Sequence, residues 1–156
     1  MVANHQYSSL NNWASSLSAQ SPRYLQPPLS VTGEDSRFTV LLVDPDLPLR
    51  TLLGEHLTAL NFYVLIAEGY EETLYLLGSK TIALVLLNIR TPATDGIGIC
   101  TAIRQSSEVP ILSFTALDRL DDAAYALIVG ADGYITCPFT LATLKIRLRG
   151  LLNHSF

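Results

Sequence analysis

The fold class this sequence predicts is a doubly wound α/β domain, a five-stranded parallel sheet with five helices. Three observations carry that expectation. Short runs of apolar and β-branched residues recur at regular intervals from residue 38 onward, stretches with apolar residues at helical spacing separate them, and the runs are apolar throughout rather than alternating with polar residues. Strands buried on both faces and joined through helices form a parallel sheet covered by right-handed crossovers. In such a sheet the functional site lies beyond the carboxyl ends of the strands, where strand order reverses.

The strands read in order as FTVLLV (38–43), FYVLIA (62–67), IALVLL (82–87), PILSFT (110–115) and GYIT (133–136). The helical stretches are LRTLLGEHLTAL (49–60), YEETLYLLGS (70–79), GIGICTAIRQ (96–105), DRLDDAAYALIVG (118–130) and TLATLKIRLRGLL (140–152). The strand ends bring Asp44, Asn88, Thr115 and Cys137 to one rim. The stretch ALVLLNIRTPATDG (83–96) is the most informative, because a buried strand climbs to an asparagine and the chain then turns through Pro92, Asp95 and Gly96.

Composition bounds the function. The chain has 156 residues, 49% of them hydrophobic, enough for one domain with a sizeable core. A net charge of −4 and an isoelectric point near 5.2 provide no field that draws the protein to nucleic acid or anionic lipid. Cys100 and Cys137 are far apart and form no CxxC pair, which fits a reducing, cytoplasmic setting without a disulfide framework. MVANHQYSSLNNWASSLSAQ has no basic start followed by an apolar run, and no segment reaches 18 apolar residues, so neither secretion nor membrane spanning is expected.

Residues 1–37 form a polar arm or tail rich in Ser, Asn, Gln and Pro, with two acids against two arginines. Tyr7, Leu10, Ala14 and Leu17 fall at helical spacing beside Trp13, so both plain disorder and a short docking helix stay open. The domain proper is expected over 38–153, followed by a short end at 154–156 that leaves no DNA-binding element in this chain.

Residues 38–153 resemble the receiver domain of two-component response regulators, the CheY-like members of the flavodoxin-like fold. LLVDPD sits where that family has a first strand ending in two adjacent acids, and LVLLNIRTPATDG is similar to the strand, phosphoacceptor aspartate and MPGMDG-like loop. ILSFTA resembles the switch strand with its Thr/Ser-Ala ending, and GADGYITCPF resembles GADDYLTKPF with its lysine and proline. The resemblance covers about three quarters of the chain.

The chemistry it implies needs an aspartate to attack a phosphoryl donor, further acids to hold Mg²⁺, and a lysine and a hydroxyl to bind phosphoryl oxygens. Asp44 and Thr115 keep the family's pattern; Pro45 stands at the second acid, Asn88 at the nucleophile and Cys137 at the lysine. An amide oxygen is a poor nucleophile and forms no acyl phosphate, so Asn88 excludes the covalent step. One remaining carboxylate is too little for a hard dication, so no metal and no other cofactor are expected. Loss of clustered carboxylates should also relieve their mutual repulsion, leaving a pocket stable without ion or phosphate. A lone Asp-to-Asn exchange would fit an engineered freeze of an active receiver; Pro45 and Cys137 beside it point to a natural pseudo-receiver. Cys137 is read as inert filler rather than a redox sensor, since its expected neighbour is Asp44. His56 is read as a packed helix histidine with Leu49, Leu52, Leu53, Leu57 and Leu60, and DGIGIC lacks the rest of a dinucleotide fingerprint.

Thr115 and Tyr134 match the family's switch pair, with a plain edge aromatic as the alternative for Tyr134. The resemblance implies an interaction face made by the fourth helix, fifth strand and fifth helix. On it the sequence puts Asp118, Arg119, Asp121 and Asp122 against Lys145, Arg147 and Arg149, with Leu120, Ala124 and Leu148 as apolar neighbours. LKIRLRGLL is similar to the last helix of receivers that dimerise there in winged-helix regulators. A solvated charged helix is the other reading. The function expected is a stand-alone pseudo-receiver, not an enzyme, that signals through phosphorylation-independent protein contact and homodimerises through this face, without direct nucleic-acid or membrane contact. The alternatives are the receiver part of a DNA-binding transcriptional regulator whose output domain is absent, and a phosphorylatable receiver.

Overall fold

The computed structural model describes residues 38–89, 95–116 and 119–153. The expectations for the arm at 1–37, for Asp118 and for 154–156 lie outside the described residues. In chain order the elements are β1 (Thr39–Val43), α1 (Leu47–Ala59), β2 (Tyr63–Ala67), α2 (Tyr70–Ser79), β3 (Leu84–Asn88), α3 (Gly96–Ser106), β4 (Ile111–Ala116), α4 (Leu120–Val129), β5 (Gly133–Cys137) and α5 (Leu141–Asn153). All four strand pairings are parallel, in the order β2-β1-β3-β4-β5. The chain steps from β1 outward to β2 and then returns across β1 to β3, so the reversal of strand order falls between β1 and β3.

Each strand feeds two cores because its side chains alternate between faces. Val40 and Leu42 of β1, Leu84 and Leu86 of β3, and Leu112 and Phe114 of β4 pack against α1 and α5. Leu41, Val43, Val85, Leu87 and Ile111 pack on the opposite face with Ile99, Cys100 and Ile103 of α3 and Ala126 of α4. All these strand residues are fully buried, which is why β1, β3 and β4 read as continuous apolar runs. Burial at roughly 25 cal/mol per Å² is the main drive to this arrangement.

Two of the helix starts are set by capping acids. Asp46 Oδ2 accepts the Leu49 N–H at 3.1 Å with Pro48 in the first turn, so α1 begins at Leu47, two residues before the apolar spacing alone suggests. Asp95 Oδ1 accepts the Gly98 N–H at 2.9 Å and starts α3. The strand read at 82–87 runs one residue further, to Asn88, because its neighbour Phe114 continues the ladder alongside it. One expectation is corrected. Leu148 is fully buried between Leu144 and Leu152 on the inner stripe of α5, so it belongs to the core and is unavailable to an outside partner.

At the amino-terminal end of the sheet one arginine gathers the chain. Arg104 of α3 donates from Nε to the Gly130 carbonyl at 2.9 Å, from Nη1 to the Ser107 carbonyl at 2.9 Å and from Nη2 to Asp132 Oδ2 at 2.8 Å. The same Asp132 oxygen accepts the Ile111 N–H at 2.8 Å. Gly130 ends α4 at a φ of 132°, and a side chain there would run into Arg104. The latch thus joins α3, α4 and the starts of β4 and β5.

Candidate functional site

The site grows out of the reversal of strand order. Val43 is in register with Leu87, so Asp44 and Asn88 stand level at the carboxyl ends of neighbouring strands. Asp44 is completely buried and Asn88 is 1% exposed. Asp44 Oδ1 accepts the Asp46 N–H at 2.9 Å and the Asn88 amide Nδ2 at 3.4 Å. Its Oδ2 finds no hydrogen-bond partner among the described residues. Arg50 of α1 is near, but its guanidinium donates to the Asp44 backbone carbonyl at 3.4 Å and pairs with Glu68 at 2.9 Å rather than meeting the carboxylate. Burial outweighs the hydrogen bond from Asp46, and the nearby Asp46 charge adds to it, so the Asp44 carboxyl is raised to about 7.

The remaining rim residues divide. Half-buried Pro45 offers neither carboxylate nor N–H. Cys137 is buried at the end of β5, and burial followed by the Asp44 charge raises its thiol above the ordinary range, which supports an inert role. Thr115 is fully buried, in register with Thr136 of β5, and its Oγ1 has no partner among the described residues. Tyr134 is level with Ser113 instead, and half-buried. The structure therefore brings Asp44, Asn88 and Cys137 into one cluster, while Thr115 and Tyr134 lie two positions out of register on neighbouring strands. Sequence reading missed Asp46, Arg50 and Glu68, which shape the electrostatics around Asp44; only the Asp-Leu-Pro cap was a local signal for any of them.

The family's Mg²⁺ is tested by these donors. Asp46 spends its carboxylate capping α1, Asn88 presents an amide N–H to Asp44, and Cys137 holds a protonated thiol. Among the described residues no group of three His, Cys, Asp or Glu side chains comes together. A small, hard dication that keeps several waters does not fit one wholly buried carboxylate. The expected relief of strain is only partial, because Asp44 itself stays buried and, among the described residues, no cation pairs with its carboxylate.

The second feature is the face made by α4, β5 and α5. A groove of about 470 Å³ runs along it between Leu120, Tyr134, Pro138, Phe139 and Arg147. Leu120 and Leu127 are exposed, as are Ala124, Asp121, Lys145, Arg147 and Arg149. Arg119 and Asp122 approach each other at 3.7 Å within the first turn of α4, with side chains 20% and 21% exposed, so their charges are partly satisfied internally. His56 is half-buried on α1, where burial lowers its pKa.

Comparison with known proteins agrees with this geometry. Residues 40–149 match the response regulator receiver domain family. The chain is 34% identical over 122 residues to "Probable transcriptional regulator ycf27" of Porphyra purpurea, and 35% identical over 121 residues to its namesake in Guillardia theta. These alignments cover 78% of this chain in both cases but 50% and 48% of the relatives, so the chain spans about half their length. Among solved structures, a two-component response regulator from Clostridium difficile superposes with a TM-score of 0.69 at 25% identity, over 75% of this chain and 97% of the other. The receiver domain of NtrX from Brucella abortus gives 0.70 at 23% identity, over 73% and 98%. With the five-stranded order, the rim at the β1/β3 reversal and a family match over most of its length, the chain belongs to the response regulator receiver domain family.

Proposed function

We propose that this receiver works as a pseudo-receiver, a non-enzymatic cytoplasmic module that signals by protein contact without accepting a phosphoryl group. One observation carries the reading: at the carboxyl end of β3, where the family's nucleophile is expected, Asn88 presents an amide whose Nδ2 faces Asp44 Oδ1 at 3.4 Å. An amide cannot become an acyl phosphate, and neither Pro45 nor Cys137 supplies the missing acid or cation. No described helix is long and apolar enough to cross a membrane, and the acidic balance disfavours direct nucleic-acid contact by this chain. The partner surface in this reading is the α4-β5-α5 face, where α4 exposes Leu120, Leu127 and Asp121 and α5 exposes Lys145, Arg147 and Arg149. A two-fold axis would set each acid against the other copy's bases, which favours a homodimer.

Incubation with acetyl phosphate and Mg²⁺, followed by intact-mass measurement beside a phosphorylatable receiver, tests the reading. No phosphoryl adduct is expected; an adduct on wild type that is lost in Asn88→Ala would sink it. A second reading, the receiver half of a DNA-binding regulator, is favoured by the relatives being probable transcriptional regulators and by the half-length coverage. A longer transcript that encodes an output domain would establish it, and the pocket chemistry is the same in either case.

A further inference from the structure

The two edges of the sheet are not equally guarded. β5 lies in the groove between α4 and α5 and is followed at once by Pro138. β2 forms the opposite edge and, among the described residues, pairs only with β1. The Tyr63 N–H donates to the Phe38 carbonyl and the Ala67 carbonyl accepts from Asp44, so residues 63, 65 and 67 turn their backbone groups toward β1. Val64 and Ile66 therefore turn their N–H and C=O groups outward, with half-buried side chains. Tyr63–Ala67 holds no proline, no charged residue and no bulge, the devices that normally blunt an edge. The helix beside it is poorly covered too: α2 buries only Thr73, leaves Leu74, Leu76 and Leu77 half-buried and exposes Tyr75.

We propose that β2 is a strand-addition edge whose occupant is β2 of a second copy of this chain, joined antiparallel about a two-fold axis so that two five-stranded sheets become one. The contact lies on the far side of the sheet from the α4-β5-α5 face and does not depend on the pocket chemistry. Two observations choose this occupant. The first is register. With Leu65 opposite Leu65 of the second copy, Val64 and Ile66 meet as hydrogen-bonded pairs on both sides of the axis, and about four main-chain bonds satisfy the outward groups of both residues. The second is charge. α2 runs back along the sheet, so Glu71 and Glu72 stand at the carboxyl end of the edge and Lys80 at the amino end, all three exposed. An antiparallel copy is turned end for end, which sets its Lys80 toward Glu71 and Glu72 of the first and brings the two poorly covered α2 helices onto one face of the joined sheet.

Cysteine cross-linking of the full chain tests the register. Across an antiparallel non-hydrogen-bonded pair the Cα atoms lie about 4.5 Å apart, within disulfide reach, whereas diagonal neighbours at roughly 7–8 Å are beyond it. With oxidised glutathione as oxidant, Leu65→Cys should form a reducible dimer on a non-reducing gel. Val64→Cys, which meets Ile66, should not, and neither should wild type with its buried Cys100 and Cys137. Sedimentation tests the affinity. Val64→Pro removes an outward N–H and no bond to β1, so the fold should stand while self-association weakens by about tenfold or more, with or without Arg147→Glu. Lys80→Glu should weaken it in low salt and leave it unchanged in high salt. A Leu65→Cys chain that does not cross-link, a Val64→Cys chain that cross-links equally, or self-association indifferent to Val64→Pro overturns the proposal and gives the edge to another occupant. Should Val64→Pro fail to fold, the cross-linking pair and Lys80→Glu still decide. Self-association lost in Arg147→Glu alone and untouched by Val64→Pro would keep the α4-β5-α5 reading and defeat this inference.

Discussion

The two ends of the sheet treat an aspartate in opposite ways. At the amino-terminal end Asp132, with its side chain 44% exposed, takes a guanidinium at 2.8 Å and a backbone N–H at 2.8 Å on one oxygen. At the carboxyl end Asp44, fully buried, faces no cation and leaves one oxygen empty-handed among the described residues. The first arrangement is the cheap one, since a charge near water with a donor fork opposite it needs little else. The second is dear, and the fold bears it at the strand-order reversal, where receivers keep their chemistry. The comparison teaches that polarity at the rim is a residue of function, while polarity at the base serves to join elements.

The largest effect should come from dismantling the base. Arg104→Ala takes the side-chain donor from the Gly130 and Ser107 carbonyls and leaves the Asp132 carboxylate with the Ile111 N–H but no cation from Arg104, and urea unfolding should show a loss of about 2 to 3 kcal/mol. A loss below about 0.5 kcal/mol would mean that solvent replaces the latch and that the two ends differ less than drawn. An intermediate effect should follow from giving the rim the cation it lacks. Cys137→Lys places an ammonium beside Asp44, and its stability at pH 8 relative to pH 5 should improve on wild type by about 1 to 2 kcal/mol. An unchanged pH profile would show that the lysine points away or that Asp44 is already ionised. The smallest effect belongs to charges that face solvent only. Arg147→Glu should weaken self-association in sedimentation by about 0 to 1 kcal/mol per exposed pair, with sensitivity to salt. A monomer throughout, or a dimer indifferent to the reversal, would move the partner to another surface.

Much of this was legible in the chain itself. The five strands and five helices were found in order because β1, β3 and β4 are apolar on both faces and the helices carry their stripe at the right period. Asp44, Asn88 and Cys137 were found because strand ends are where such sheets place polar residues, and they do cluster. The misses have physical causes. Leu148 was taken for a surface residue because, on a helix with Lys145, Arg147 and Arg149 around it, only the turn of α5 against the sheet decides which side is inside. The Arg104–Asp132 pair spans 28 residues, and no periodicity in a sequence links charges so far apart. Arg50 and Glu68 meet across 18 residues for the same reason. Asp122, read as part of the α4-β5-α5 face, also approaches Arg119 at 3.7 Å, a local contact that the i,i+3 spacing already contained.

The two cysteines, set one on each side of the sheet, make the molecule its own recorder of motion. Cys100 lies in the layer formed by α3 and α4, Cys137 in the layer formed by α1 and α5, and both are free thiols shut away from solvent. A thiol reagent can reach either one only when that layer parts from the strands, so two labelling rates measured on the untouched protein would give the opening free energy of each layer separately. If the carboxyl-end rim is the looser place, Cys137 should react sooner than Cys100, which lies nearer the latch and should keep time with global unfolding.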